Sequence, residues 1–305
     1  MSKALIAALR KLRGTGRMAG SVLTNDQKRA LNEFARRTAC IQETVAGRGT
    51  VYRVVDEKTL ETHWRQLSPK EKEELPDNLP QRAINIASSR DSKSAQPGHD
   101  TYYLLLKSAG TGVTWSNGRA TLDLTATTER YGAAALGIMP NDNWTSEQPL
   151  WLVENQKLFD CLDWLPSDTV ASVAYYGGQL SNLLINWLAG ESRTGAVILF
   201  PDYDGVGLMN YARLQSRLGE KCRFWLMPEW KRLLNEFGSH KVWLDNFRDF
   251  ESAYNRLQET ASPELHELMR EMQQQAMALE QEAIWLRICY QADPDDQSER
   301  THSLL

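Results

Sequence analysis

The chain has 305 residues, 42% hydrophobic and 24% charged, with a formal net charge of −4. That composition supplies apolar material for about two to three domains and excludes a polycation. No run approaches the ~18 apolar residues of a membrane span, and "MSKALIAALRKLRG" is too short and interrupted for a signal peptide. A cytoplasmic protein with no membrane partner is expected.

Cys40, Cys161, Cys222 and Cys289 lie far apart with no C-x-x-C spacing. This argues against a zinc site and fits buried thiols in a reducing compartment.

Residues 1–70 carry fourteen Lys/Arg against six Asp/Glu. A basic end on an acidic protein points to a phosphate-bearing partner, with a solvated surface as the bland alternative. "SKALIAALRKLR" predicts a short amphipathic helix. Thr24 to Gln27 forms a capping box, and Leu31, Phe34 and Ala35 follow at helical spacing. Arg29, Arg36 and Arg37 decorate that helix. "CIQETVAGRGTVYRVVD" predicts a β-hairpin with Arg48 at its tip. A further helix at about 57–66 closes a unit compatible with a winged-helix domain, a fold that binds DNA or protein.

Residues 71–148 give a weaker pattern. "SPKEKEELPDNLP" looks like a linker. "AINIASSRDSKSAQPGHD" begins like a strand and ends as a polar loop, where Arg90, Lys93 and His99 could touch phosphates. "DTYYLLLK", "GVTWS" and "ATLDLTA" have strand character, with Tyr102 and Tyr103 expected in the core. A small α/β or β-rich connecting element is expected here.

Residues 149–250 alternate clearly. Strands "LWLV", "ASVAYY", "AVILF" and "CRFWLM" each lead into a helical pattern. Short apolar runs alternating with helices predict a parallel sheet covered on both faces, with every strand's C-terminal end at one edge. Residues 251–305 are expected to hold a long amphipathic helix over about 260–290, striped by Leu265, Leu268, Met269, Met272 and Ala276, and a disordered tail.

The chemistry-bearing residues fall at that sheet edge. Glu154 follows the first strand, Gly177 and Gly178 the second, Asp202 and Asp204 the third. Residues i and i+2 of an extended segment face the same way. Three clustered carboxylates repel one another unless a hard cation sits among them, and oxygen-only ligation points to Mg²⁺ or Mn²⁺. Such a site favours phosphoryl-transfer chemistry. The two glycines would let the backbone approach a phosphate closely. An ordinary turn with a helix cap is the structural alternative for D-x-D-G alone.

"LVEN", "YYGG" and "PDYDGVGLMNYARL" together resemble a Toprim domain over about 149–250. Within that group they are most similar to the topoisomerase VI A-subunit type and to the JetD nuclease subunit of Wadjet plasmid-defence systems. The resemblance implies that Glu154, Asp202 and Asp204 are catalytic metal ligands, with Asn155, Lys157 and Gln179 nearby. The tyrosine pair by which topoisomerase VI A cuts DNA has no counterpart in the winged-helix candidate, which holds only Tyr52 in a wing strand. Water would then be the nucleophile.

The expected function is therefore a Mg²⁺-dependent DNA endonuclease of α/β Toprim fold, holding DNA phosphates through Arg29, Arg36, Arg37 and Arg48. By resemblance it would be the cleaving subunit of a defence complex driven by an SMC-type ATPase. The chain has no P-loop of its own. Dimerisation would suit double-strand cleavage. The alternatives are a DNA-binding adaptor with a degenerate Toprim fold, a transesterase acting through Tyr52, Tyr102 or Tyr103, and a primase or RNA-processing enzyme.

Overall fold

A computed structural model describes residues 3–47, 49–68, 70, 75–92, 100–190 and 192–290. Arg48, Lys93, His99 and the tail 291–305 lie outside the described residues, as do residues 69 and 71–74 of the linker expected over 68–80. The chain divides into two compact units, Met1–His99 and Asp100–Leu305. The connecting element expected over 71–148 is shared between them.

The first unit is built around α1 (Lys3–Thr15), which buries Leu5, Ala8, Leu9 and Leu12 along one face. These sit at i, i+3, i+4 and i+7, the spacing that puts apolar side chains on one helical stripe. β1 (Arg17–Ala19) follows, then α2 (Asn25–Thr38). The capping box forms as expected: Gln27 N–H donates to Thr24 Oγ1 at 3.3 Å, and Thr24 N–H donates to Gln27 Oε1 at 3.1 Å. β2 (Ile41–Ala46) and β3 (Gly49–Val54) make the hairpin, and β1 adds to it in the order β1-β3-β2. α3 (Glu57–Leu67) packs Leu60 and Trp64 into the same core as Leu31, Phe34 and Tyr52.

The expectation of a strand over "AINIASS" is corrected: those residues belong to α4 (Gln81–Ser89), which ends at Arg90 in the left-handed region at φ 55°. Three alternating residues cannot separate a strand from one helical turn.

The second unit holds a six-stranded sheet in the order β11-β10-β8-β9-β4-β7. β8 (Leu150–Val153), β9 (Ala171–Tyr175), β10 (Val197–Phe200) and β11 (Cys222–Phe224) run parallel. Each was legible as a short apolar run. The wholly parallel sheet is corrected to a mixed one. β4 (Tyr102–Ala109) pairs antiparallel with both β9 and β7 (Ala134–Ile138). Residues from the supposed connecting element thus complete the main sheet. β5 (Thr114–Ser116) and β6 (Thr121–Asp123) form a small ribbon. Asp123 stops β6 by accepting the Ala126 amide, so "LTATTERY" becomes α5 (Leu124–Tyr131) instead of more strand. Tyr102 is half-buried, but Tyr103 is 72% exposed, which corrects the expectation that both are core residues. Strand alternation turns Tyr103 outward, where it lies beside Gly137.

α6 (Gln156–Asp160), α7 (Asn182–Gly190), α8 (Gly205–Leu218) and α9 (Trp230–Phe237) follow the parallel strands in turn. α10 (His240–Leu257) has no counterpart among the sequence expectations. It lies against α8 at Gly205, where a Cβ would run into the Asn246 carbonyl and the Phe250 amide. The long C-terminal helix is also corrected. α11 (Pro263–Gln275) buries Leu265, Leu268, Met269 and Met272 as expected, but ends at Ala276, which takes φ 53°. The chain then forms bridges at Ala278 and Leu279 and a 3-10 segment from Gln281 to Tyr290.

Cys40, Cys161 and Cys222 are free thiols. No helix among the described residues is long and apolar enough to cross a membrane.

The close approach of α8 and α10 gives the first prediction. Ala exceeds Gly in helix propensity by about 1 kcal/mol, but the added methyl has no space. Gly205→Ala is expected to destabilise the protein by about 1–3 kcal/mol, read from denaturant unfolding. A neutral or stabilising result would contradict this packing.

Candidate metal centre

β8 lies between β9 and β10, with Val153 opposite both Tyr175 and Phe200. The segments following these three strands therefore meet at one edge, where open α/β sheets hold ligands. Glu154, Gly177, Gly178, Asp202 and Asp204 all lie there, as the sequence suggested.

The D-x-D segment is held from both sides. Tyr203 is fully buried, and its hydroxyl accepts the Met227 amide at 2.6 Å and donates to the Trp225 carbonyl at 3.2 Å. Its backbone pairs with Leu279 through hydrogen bonds of 2.8 and 3.0 Å. A tyrosine pinned into the core leaves the flanking aspartates on the opposite side of the extended chain. Phe200, Trp164, Trp151 and Trp225 pack against one another in the core, with the Phe200 and Trp225 centroids 4.6 Å apart.

Asp204 caps α8: its Oδ1 accepts the Gly207 amide at 2.7 Å, and its Oδ2 accepts Asn246 Nδ2 at 2.8 Å. The cap that a bland reading of D-x-D-G expects is therefore present alongside the cluster. Asp202 Oδ1 accepts the Gln281 amide at 2.8 Å. Glu154 Oε2 accepts the Tyr176 hydroxyl at 3.1 Å.

Burial, together with the neighbouring charges of Asp202 and Asp204, pushes the Glu154 carboxyl up to about 8. Burial and Asp204 push Asp202 up to about 7, against the opposing hydrogen bond from Gln281. Burial also raises Asp204, with Asp249 and Glu280 adding to the effect. The charges acting on all three are other carboxylates.

Every donor in this set is a carboxylate oxygen, the ligand type that a hard divalent cation takes. Among the described residues, no three His, Cys, Asp or Glu side chains are gathered tightly enough to enclose an ion. Mg²⁺ commonly keeps several waters and takes only one or two carboxylates plus substrate phosphate oxygens.

Gly177 and Gly178 both have positive φ, at 58° and 65°. Their loop is fastened to α8 by Asn210, whose Nδ2 donates to the Gly178 carbonyl and whose Oδ1 accepts the Leu180 amide, each at 3.1 Å. Asn155 caps α6 through its side chain at 2.7 Å from the Lys157 amide. Lys157 and Gln179 are exposed.

The structure adds four residues that the sequence reading missed. Tyr176 stood inside "YYGG", one position past the β9 end that faces Val153; that register was its signal. Asn246, Gln281 and Glu282 come from distant helical or 3-10 segments, and their polar, helix-like surroundings gave none.

In the first unit, Arg29, Arg36 and Arg37 are exposed on α2. Arg29 pairs with Asp26 at 3.1 Å and Arg37 with Glu33. Exposed pairs of this kind are worth little and exchange readily for another anion. Arg17 and Arg53 stand opposite each other on β1 and β3, both exposed. Like charges so placed are unfavourable without an anion.

Two predictions follow from the carboxylates. Asp204→Ala is expected to cost about 0.5–2 kcal/mol through the lost cap. Asp204→Asn, which keeps a capping oxygen and removes a charge, should leave metal-free stability equal or higher; denaturant unfolding compares them. The second concerns pH. Asp202 and Glu154 titrate higher in the folded chain than their unfolded values of about 4. Their contribution is fully present below about pH 4 and is lost as pH rises through about 7 to 8. Metal-free Asp202→Asn should match wild type in melting temperature near pH 4 and exceed it at pH 8.5. A constant offset across that range would contradict the assignment.

Residues 103–287 match the family described as Domain of unknown function (DUF7281). No curated protein matches the sequence. The match covers more than half of the chain and includes every residue of the carboxylate site, so the protein belongs to the DUF7281 family.

Proposed function

We propose that this protein is a divalent-metal-dependent DNA endonuclease, with a Toprim domain as its catalytic unit and a winged-helix domain as its DNA-binding unit. One observation carries the reading: Glu154 and the Asp202–Asp204 pair follow neighbouring parallel strands, and burial, with the charges of Asp202 and Asp204, raises the proton affinity of Glu154. Folding gains nothing from that repulsion, whereas binding a cation does.

Mg²⁺ or Mn²⁺, when bound, supplies Lewis acidity toward a phosphodiester and a more acidic water. The rest falls to the chain's own residues. Tyr176 orients Glu154 through its hydroxyl. The Gln281 amide orients Asp202. Asp204 is fixed by its cap and by Asn246. Binding the cation would require Glu154 to give up the proton that burial and its neighbours favour in the metal-free chain. Gly177 and Gly178 present backbone without side chains, where a phosphate can approach.

The order α1, β1, α2 and the β2–β3 hairpin supports the winged-helix reading. Arg29, Arg36 and Arg37 on α2, with Arg17 and Arg53 on the sheet, would hold DNA by its phosphates, which gives affinity without sequence preference. The resemblance to the Wadjet nuclease subunit extends the proposal to an SMC-type ATPase partner, since this chain carries no P-loop. One site cuts one strand at a time, so a homodimer would suit double-strand cleavage. A cytoplasmic location belongs to the same reading.

The test is incubation of supercoiled plasmid with the purified protein and Mg²⁺ or Mn²⁺, with products run before and after protease treatment. Wild type should give nicked or linear DNA with free ends, and Glu154→Ala or Asp202→Ala should give none. Cleavage unchanged in those variants would refute the site. Ends released only by protease would favour a transesterase, with Tyr176 as the phenol at the site. DNA binding without cleavage by wild type would favour a non-catalytic adaptor.

A further inference from the structure

Gln281 is fully buried, yet it is the residue through which a remote segment enters the metal centre. Its Oε1 accepts the Asn155 amide at 2.9 Å, and its Nε2 donates to the Phe200 carbonyl. Its own backbone N–H donates to Asp202 Oδ1 at 2.8 Å. Asn155 directly follows Glu154, and Phe200 is the last residue of β10. The β8–β10 ladder ends at the Val153–Phe200 pair. Just past that pair, the Gln281 side-chain amide links the Asn155 N–H to the Phe200 carbonyl, in the place of a further backbone rung.

The segment carrying Gln281 is itself anchored. Leu279 pairs with Tyr203, between the two aspartates, and Ala278 pairs with Ser239. Glu282 accepts a hydrogen bond from Asn155 Nδ2. Trp285 Nε1 donates to Asp163 Oδ1 at 3.1 Å. The stretch matched by the family runs to residue 287 and takes in this strap.

A buried amide without partners is strongly unfavourable, and an apolar side chain would fill the same space. Gln281 is therefore best explained by what it holds. We infer that Gln281 is a positioning residue: its side-chain amide sets the separation of the β8 and β10 ends, and with it the approach of Glu154 to Asp202 that a divalent cation requires. This rests on the metal reading of the site. It adds that the cation's affinity depends on a residue from the C-terminal strap, about 80 residues beyond the last carboxylate. A geometric error at supporting groups is known to weaken metal sites by about 10- to 100-fold.

The test is Mn²⁺ affinity by titration calorimetry on the full chain, beside the metal-free melting temperature. Gln281→Met keeps length and volume and removes both amide hydrogen bonds. Leu268→Val, in the α11 core, lowers stability without touching the site. Gln281→Met should weaken Mn²⁺ binding tenfold or more, while Leu268→Val binds as wild type does. Equal affinity for Gln281→Met and wild type overturns the inference and leaves the metal site standing. Equal weakening in both variants also overturns it, because stability alone would then explain the loss. A wild type that takes up no Mn²⁺ removes the metal site, and the inference falls with it. If Gln281→Met does not fold, Gln281→Asn takes its place. It keeps the amide but is one methylene too short to span both strand ends, and the same outcomes apply.

Discussion

Carboxylates do not collect at the end of a buried sheet unless the backbone forces them together. Here the parallel pairing of β8 with β10 does so, because Val153 and Phe200 are the last partners in register and the acidic residues come next. Burial first, and neighbouring carboxylates second, raise the proton affinity of Glu154, Asp202 and Asp204. Much of the surrounding structure holds them in place. Tyr203 anchors the D-x-D segment in the core, α8 takes Asp204 as its cap, and the strap at Leu279 and Gln281 ties both strand ends. The site gathers buried carboxylates at the edge of the sheet, each held by hydrogen bonds from neighbouring elements.

That arrangement also accounts for the glycines around it. Gly205 lets α10 come close enough for Asn246 to reach Asp204. A Cβ at Gly207 would meet the Asp202 carbonyl, so the tight turn into α8 needs that position bare. Gly177 and Gly178 carry backbone angles that L side chains adopt at a cost of about 1–2 kcal/mol each. The D-x-D-G-x-G run thus combines acidic chemistry with the close packing that holds it in place.

The parts legible in the sequence were those coded locally. The four parallel strands announced themselves as apolar runs, α2 by its capping box, and the hairpin by its glycines. The three carboxylates were legible because their positions follow from strand ends alone. β4 was not assigned to the main sheet, because antiparallel pairing with β9 from more than 60 residues away leaves no mark on either segment; β7 was not read as a strand at all. α4 was mistaken for a strand on three alternating residues. The break after Gln275 was hidden because Ala276 is a strong helix former, placed in the left-handed region by the bridges that follow. Gln281 sat in "LEQEA", which reads as a solvated helix; its burial comes wholly from tertiary contacts.

The central claim is that Glu154, Asp202 and Asp204 hold a divalent cation. The most direct measurement is anomalous diffraction from crystals soaked in Mn²⁺, collected near the manganese edge. The account predicts a peak at the β8–β10 edge within ligating distance of carboxylate oxygens from this set. No peak there at saturating Mn²⁺, with the edge open to solvent in the lattice, would contradict it.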